Sequence, residues 1–276
     1  MIYLLNAGFG EPLPADDLDL IRFLGYQGVR QDVPSAAIAP TLVDNLMAAN
    51  LYGIFVVPVA EESVCHEITH AVAAQIVLRA GAGMGIIEAG NEEDLSGKRW
   101  TRDPVGWARL VSDVKTIADD HSGGEITVLS GGVSSVSRQA MDWLERSHVR
   151  DLPVGVGYHQ YRSTPPAEPL DGYRSRYDEF AALRQAAGLR PTWMTESGWH
   201  TAKRTTGFWP LRKTWAYTDT QVARFLSEEM ALNKGAEAEC FTVYQLNDGP
   251  DPSNDQDRFG IRRTDGTLKP SAEVLL

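Results

Sequence analysis

The stretch Cys65-His66-Glu67-Ile68-Thr69-His70 contains the pattern H-E-x-x-H. On a helix that spacing lets two imidazoles bind zinc, with the glutamate acting as a base. A second set of reactive groups is spread more widely. Gly90-Asn91-Glu92-Glu93-Asp94 and Thr195-Glu196-Ser197-Gly198-Trp199 carry carboxylates among polar and aromatic neighbours. Gly28-Val29-Arg30-Gln31-Asp32 adds a cation, Tyr158-His159-Gln160-Tyr161 an imidazole and a phenol, and Tyr244-Gln245-Leu246-Asn247-Asp248 a further aromatic. Two separated carboxylates suit glycosidic bond cleavage. One, protonated, donates to the leaving oxygen, and the other attacks the anomeric carbon from about 5 to 5.5 Å away. The chain thus offers two sites, and the elements that carry them decide between them.

Strand-like runs alternate with helix-like stretches. Strands are predicted at 1–6, 28–33, 53–59, 84–90, 125–131, 154–161, 191–197 and 240–246. Helices are predicted at 16–24, 40–50, 61–80, 104–120, 137–147, 173–187 and 218–234, with 271–276 as an eighth helix or its stub. Repeated βα units with apolar strands imply a parallel sheet. Eight of them in 276 residues suggest a closed (β/α)8 barrel in one domain. A doubly wound open sheet is the alternative. It would want a glycine-rich loop after a strand, and GAGMG at 81–85 precedes one. In a barrel the active site lies at the C-terminal strand ends. There the residues quoted above converge, with Arg30 and Asp32 on one face of strand two by the period of two.

Composition narrows the partners. Hydrophobic content of 43% with 23% charged residues is ordinary for a chain with a sizeable core. The net charge of −11, without a basic cluster, disfavours nucleic acid and fits a neutral substrate. The two cysteines, Cys65 and Cys240, are too few for a disulfide framework and are expected to be small buried residues. No apolar run approaches the length of a membrane span. MIYLLNAG reads as a strand from its start, so the expectation is a cytoplasmic protein as the chain stands, or a secreted one if a leader was removed. No motif specifies an oligomeric state.

The chain resembles the clan A retaining glycoside hydrolases in five motifs taken in order. They are GVRQD at 28–32, GNE at 90–92, HQY at 159–161, TESGW at 195–199 and FGIRRTDGTLKPS at 259–271. The resemblance implies a (β/α)8 glycosidase acting on a carbohydrate with no metal or other cofactor. Glu92 would be the acid/base and Glu196 the nucleophile. Asn91 would bond the sugar 2-hydroxyl. Tyr161 and Arg30 would hold Glu196 ionised, while Glu92 needs a raised pKa to donate its proton. His159 would line the pocket, and Trp199, Tyr244 and Trp209 could stack on sugar rings. The sequence departs from the family in placing Glu93 and Asp94 where many members have proline, and Tyr244-Gln245 where many place tryptophan. Glu88 and Glu93 are rival acids ranked below Glu92.

The bland readings are a structural Arg30–Asp32 bridge, a core histidine at 159 and aromatics that merely fill the barrel mouth. The basic, aromatic stretch 201–217 is a solvated loop or a lid over the groove favouring an acidic or phosphorylated sugar chain, and 251–258 suggests calcium but lacks EF-hand spacing and reads as a solvated loop. Short βα loops, with only the stretch after strand seven long, suggest an open groove and endo action on a β-linked oligo- or polysaccharide.

The alternatives are a zinc peptidase built on His66, Glu67 and His70, and a catalytically silent carbohydrate-binding barrel. For the peptidase, Glu92 follows His70 by 22 residues, where thermolysin-like peptidases have a third ligand. Against it, MGIIEAG reads as a strand, where that ligand should stand on a helix. His66 and His70 also fall opposite Val64, Ile68 and Val72 on the helical wheel, toward solvent, although Ala73 and Val77 share that far side. The longer metzincin motif fails at Ala73 and Ile76.

Overall fold

The computed structural model describes residues 1–80, 82–135, 137–161, 182, 185, 192–206, 213–235 and 238–276. Eight parallel strands form the barrel: β1 (Ile2–Asn6), β2 (Gly28–Asp32), β3 (Tyr52–Val57), β4 (Gly85–Ala89), β5 (Thr127–Leu129), β6 (Val156–Tyr161), β7 (Thr192–Gly198) and β10 (Cys240–Tyr244). Their order is β5-β4-β3-β2-β1-β10-β7-β6. Bridges Leu129–Gly155 and Val133–Tyr158 join the two ends into a ring. Helices α1 (Ala15–Phe23), α2 (Ala39–Ala48), α3 (Glu62–Ala80), α4 (Pro104–Ser122), α5 (Arg138–Ser147) and α6 (Asp219–Gly235) lie outside. The (β/α)8 architecture expected from the βα alternation is what the chain adopts.

Three details differ from the sequence expectation. A small antiparallel hairpin, β8 (Arg204–Thr206) with β9 (Lys213–Trp215), forms within the stretch after β7. The closing segment is a short 3-10 turn, Pro270–Glu273, rather than a helix. The connection from β4 to α4 is also long, running from Gly90 to Asp103 with a 3-10 turn at Arg99–Arg102. Its polar residues read as a simple turn because they lack helical periodicity. The predicted helix 173–187 and Trp209 lie outside the described residues. Among the described residues, no helix is long and apolar enough to cross a membrane.

Alternation along the strands sorts the barrel interior into layers. At the N-terminal end, Leu4, Ile54, Ile86, Leu129, Trp193 and Cys240 form a closed apolar plug. Two residues further along the same strands the interior turns polar: Asn6 follows Leu4, Glu88 follows Ile86, Thr195 follows Trp193 and Thr242 follows Cys240. The larger apolar cluster lies between sheet and helices, with Val29, Phe55, Ile87 and Phe241 from the strands against Leu42, Leu46, Ile76, Trp107 and Leu226 from the helices. Cys65 and Cys240 are buried free thiols, as expected.

Candidate active site

Parallel register brings the strand ends to one level. Asn6 stands beside both Tyr244 and Arg30. Arg30 is 2% exposed and places its guanidinium between three partners. Nε donates to Glu88 Oε2 at 2.6 Å, Nη1 to Glu196 Oε1 at 2.5 Å and Nη2 to Asn91 Oδ1 at 2.8 Å. The alternative of an Arg30–Asp32 structural bridge is therefore not what forms. Burial alone would lower the Arg30 pKa, but the Glu88 and Glu196 carboxylates outweigh it and keep the guanidinium protonated.

Glu196 reaches the cleft through an irregularity in β7. Its neighbour β10 advances from Phe241 to Val243 while β7 advances from Met194 to Ser197. On the other side, β6 moves one residue, from Tyr158 to His159, while β7 moves two, from Met194 to Glu196. The extra residue is a β-bulge, which shifts the facing of the residues after it. Strict alternation from Trp193 and Thr195 would turn Glu196 away from the barrel axis; the bulge turns it inward.

Glu196 Oε1 also accepts from Asn6 Nδ2 at 3.4 Å, and the Tyr161 hydroxyl donates to Oε2. His159 Nδ1 lies 3.5 Å from Oε2. Burial of this carboxyl would raise its pKa. The His159 and Arg30 charges and the hydrogen bonds from Tyr161 and Arg30 more than reverse that, so it is held below its usual range. Burial, reinforced by Glu196, pushes the Tyr161 phenol well above its ordinary value, so it remains a donor.

Glu92 stands just beyond β4 in a left-handed conformation, φ +57°, after Gly90 at φ +88°. For a residue with a Cβ this costs about 1 to 2 kcal/mol. The turn is held by Glu92 N–H donating to Gly132 O at 2.8 Å and by the Asn91–Gly132 bridge. Its Oε1 is hydrogen-bonded to His159 Nδ1 at 2.8 Å. His159 itself is fully buried. It fits there because residue 132 is glycine, where a Cβ would meet His159 Nε2 at 2.2 Å and Thr195 Oγ1 at 2.8 Å. Nearest ligand oxygens of Glu92 and Glu196, with a ring nitrogen of His159, all lie within 4.8 Å of one another.

Above these groups opens a cleft of about 440 Å³. Arg30, Asn91, Glu92, Tyr161, Glu196 and Tyr244, all read from the sequence, line it. Trp199 does not join them. It is 3% exposed, its indole N–H donates to Glu229 Oε2 at 3.1 Å, and its ring packs on Phe225 and Tyr217 with centroids at 4.5 and 5.4 Å. One residue past the end of β7, it points into the layer beside α6, so it is a core residue rather than a stacking platform.

Of the rival acids, Glu88 is fully buried, its second oxygen accepting from Gly132 N–H at 2.9 Å. Glu93 lies outside this cleft, 3.8 Å from Lys98. Asp94 is committed to the Ser134 N–H at 2.8 Å and its hydroxyl at 2.7 Å.

Asn6, Phe9, Asp32, His200, Gln256 and Phe259 also line the cleft. Of these, sequence reading placed only Asp32 at that rim, beside Arg30. Asn6 had one signal, a polar residue ending an apolar strand. Phe259 is delivered by the tail after β10, which runs back along the strand end: Ile261 N–H donates to Gln245 O and Arg262 N–H to Leu246 O, each at 2.9 Å. The buried Lys269–Asp248 pair at 2.7 Å pins it. Phe9, Tyr161, Tyr244 and Phe259 form an edge-to-face aromatic rim with centroid separations of 5.4 to 6.2 Å.

The H-E-x-x-H residues lie elsewhere. His66 faces Asp113 of α4, and His70 Nδ1 sits 3.1 Å from His121 Nε2, also on α4. Glu92, which a zinc peptidase would need beside them, is bonded to His159 instead.

No protein-family model matches the chain, and comparison with curated proteins finds no match. Solved structures do match. The GH39 enzyme from Xanthomonas axonopodis pv. citri and a monomeric β-xylosidase from Caulobacter crescentus CB15 each superpose with TM-score 0.70 at 14% identity. Both matches cover 99% of this chain and only 65% and 66% of theirs, so the chain spans just under two thirds of their length. CJP38, a β-1,3-glucanase and allergen of Cryptomeria japonica pollen, matches with TM-score 0.62 at 13% identity, covering 97% of each chain. At such identities the likeness is one of fold.

Proposed function

We propose that this chain is a retaining glycoside hydrolase acting on a β-linked carbohydrate, with Glu92 as acid/base and Glu196 as nucleophile. The observation that carries the reading is the pair itself. Two carboxylates from opposite sides of the barrel mouth approach within 4.8 Å in an open cleft, and only Glu196 is wrapped by cationic and hydroxyl donors. That approach favours retention, since inverting pairs stand about 6.5 to 9.5 Å apart.

In the first step the Glu92 carboxyl gives its proton to the glycosidic oxygen as the C–O bond breaks. A Glu196 oxygen attacks the anomeric carbon, forming a glycosyl ester. In the second, the Glu92 carboxylate takes a proton from a water that attacks the same carbon, and Glu196 leaves with its electron pair. The Glu92–His159 hydrogen bond orients the acid. Arg30, by accepting no bond and donating to Asn91 Oδ1, leaves the Asn91 amide nitrogen to donate to a sugar hydroxyl.

Neighbours of this fold include enzymes named as a β-xylosidase, a β-1,3-glucanase and β-glucuronidases. Those names support a β-linkage without selecting a sugar. Endo action is supported by two hollows that continue the cleft. One of about 430 Å³ shares Asn6, Phe9, Tyr244 and Gln256 with it, and one of about 550 Å³ shares Asp32 and Asn91.

The test is Glu196→Ala assayed on a panel of aryl β-glycosides. Turnover should fall on the order of 10⁴-fold. Azide should restore it, giving the α-glycosyl azide by entry from the face Glu196 vacates. Near-parental activity in the variant would overturn the assignment. A parent that binds carbohydrate without turning it over would support the silent barrel instead.

A further inference from the structure

The H-E-x-x-H motif has no place in the cleft: His70 is exposed, as the helical wheel predicts, and His66 is half-buried where α3 meets α4. We propose that Glu62 and His66 of α3 and Asp113 of α4 form a binding site for a divalent ion of the zinc class on the outer wall of the barrel. One ligand atom from each lies within 4.8 Å of the other two. His66 Nε2 is 3.5 Å from Asp113 Oδ2. Two ligands bound tetrahedrally at about 2.0 to 2.1 Å stand about 3.4 Å apart, so this pair already has the separation that one ion needs.

The state of His66 points the same way. Its Nε2 is shielded from solvent and has no hydrogen-bond partner, although it is aimed at a carboxylate. With no hydrogen bond and only this long contact to Asp113, the atom is poorly satisfied, and coordination would satisfy it. The donor chemistry selects the ion. One imidazole with two carboxylates suits zinc, whereas calcium and magnesium prefer sites built of oxygen alone. Two carboxylates also balance the charge of a dication. Three protein ligands leave a position for water.

Binding would tie the first turn of α3 to α4. Those two helices pack beside one another over the β3–β4 unit, whose far end carries Asn91 and Glu92. The site is therefore a structural clasp, and it stands or falls independently of the glycosidase reading. One turn further along α3, His70 Nδ1 lies 3.1 Å from His121 Nε2 and is a competitor for the ion. So is the Glu92–His159–Glu196 group in the cleft. The test has to separate all three.

The chain, stripped with EDTA, is titrated with zinc sulfate and followed by calorimetry and thermal melting. One ion should bind. Zinc at 100-fold over Kd should raise Tm by on the order of 5 °C. That rise should disappear in His66→Ala and in Asp113→Asn, the latter altering a carboxylate that is 51% exposed on the other helix. It should persist in the His70→Ala/His121→Ala double variant and in Glu196→Gln, and magnesium chloride should not produce it. Absence of the rise in the parent overturns the proposal. So does its survival in His66→Ala, its loss in the His70/His121 double variant or Glu196→Gln, or an equal effect of magnesium.

Discussion

Arg30 is the residue through which the two halves of the site communicate. Its planar fork reaches Glu88, Glu196 and Asn91 at once, a geometry that a lysine ammonium on a flexible stem does not reproduce. Arg30→Lys should therefore lower kcat by on the order of 10²-fold with a smaller change in KM. Arg30 is among the causes that hold the Glu196 carboxyl down, so weakening it should also move the acid limb of the kcat/KM profile upward in pH. A profile unchanged in position would contradict that role. The residue types at the strand ends were legible in the sequence because each is polar where a strand should stay apolar. Trp199 was not, since an aromatic after a strand reads the same whether it lines a mouth or fills the layer behind it. Asn6 carried the same polar signal at the end of β1 and went unread, and Phe9 offered too little chemistry to stand out from the loop that follows.

At the scale of elements, the alternation of strands and helices made the barrel legible, because apolar runs of period two and amphipathic stretches leave different marks. The bulge in β7 left none. It inserts one residue without changing composition, yet it decides that Glu196 faces the cleft. The turn after β4 was equally hidden, since its left-handed Glu92 depends on hydrogen bonds to Gly132, distant in sequence. Gly132→Ala should consequently impair the site more than the fold. Its Cβ would meet His159 at 2.2 Å, and kcat should drop by on the order of 10-fold or more as the Glu92–His159 bond is displaced. By contrast, Asp103 caps α4 by accepting the Gly106 N–H at 2.9 Å and does not line the cleft. Asp103→Ala should cost about 1 kcal/mol of stability, seen in urea unfolding, and leave kcat unchanged.

For the whole molecule, the barrel is divided by layer: an apolar plug closes one end, and above it stand the buried charged groups assigned to the proposed chemistry, held there at some cost. Glu93 shows the cost. Burial raises its pKa, so its folded value exceeds its unfolded one. Such a group contributes stability below the unfolded value and loses it as pH rises through the folded one. Glu93→Gln should then raise stability at neutral pH, with the gain vanishing toward the ordinary carboxylate range. Glu196 runs the other way: its depressed pKa stabilises the fold above the ordinary range and fails as acid protonates it. Denaturant titrations at several pH values read both signs. The central claim is that Glu92 and Glu196 together cleave a β-glycoside with retention. The measurement that tests it most directly is proton NMR of the first sugar released from an aryl β-glycoside, recorded before mutarotation. The account predicts the β-anomer first, with the α-anomer growing in later by mutarotation; the α-anomer appearing first would contradict it.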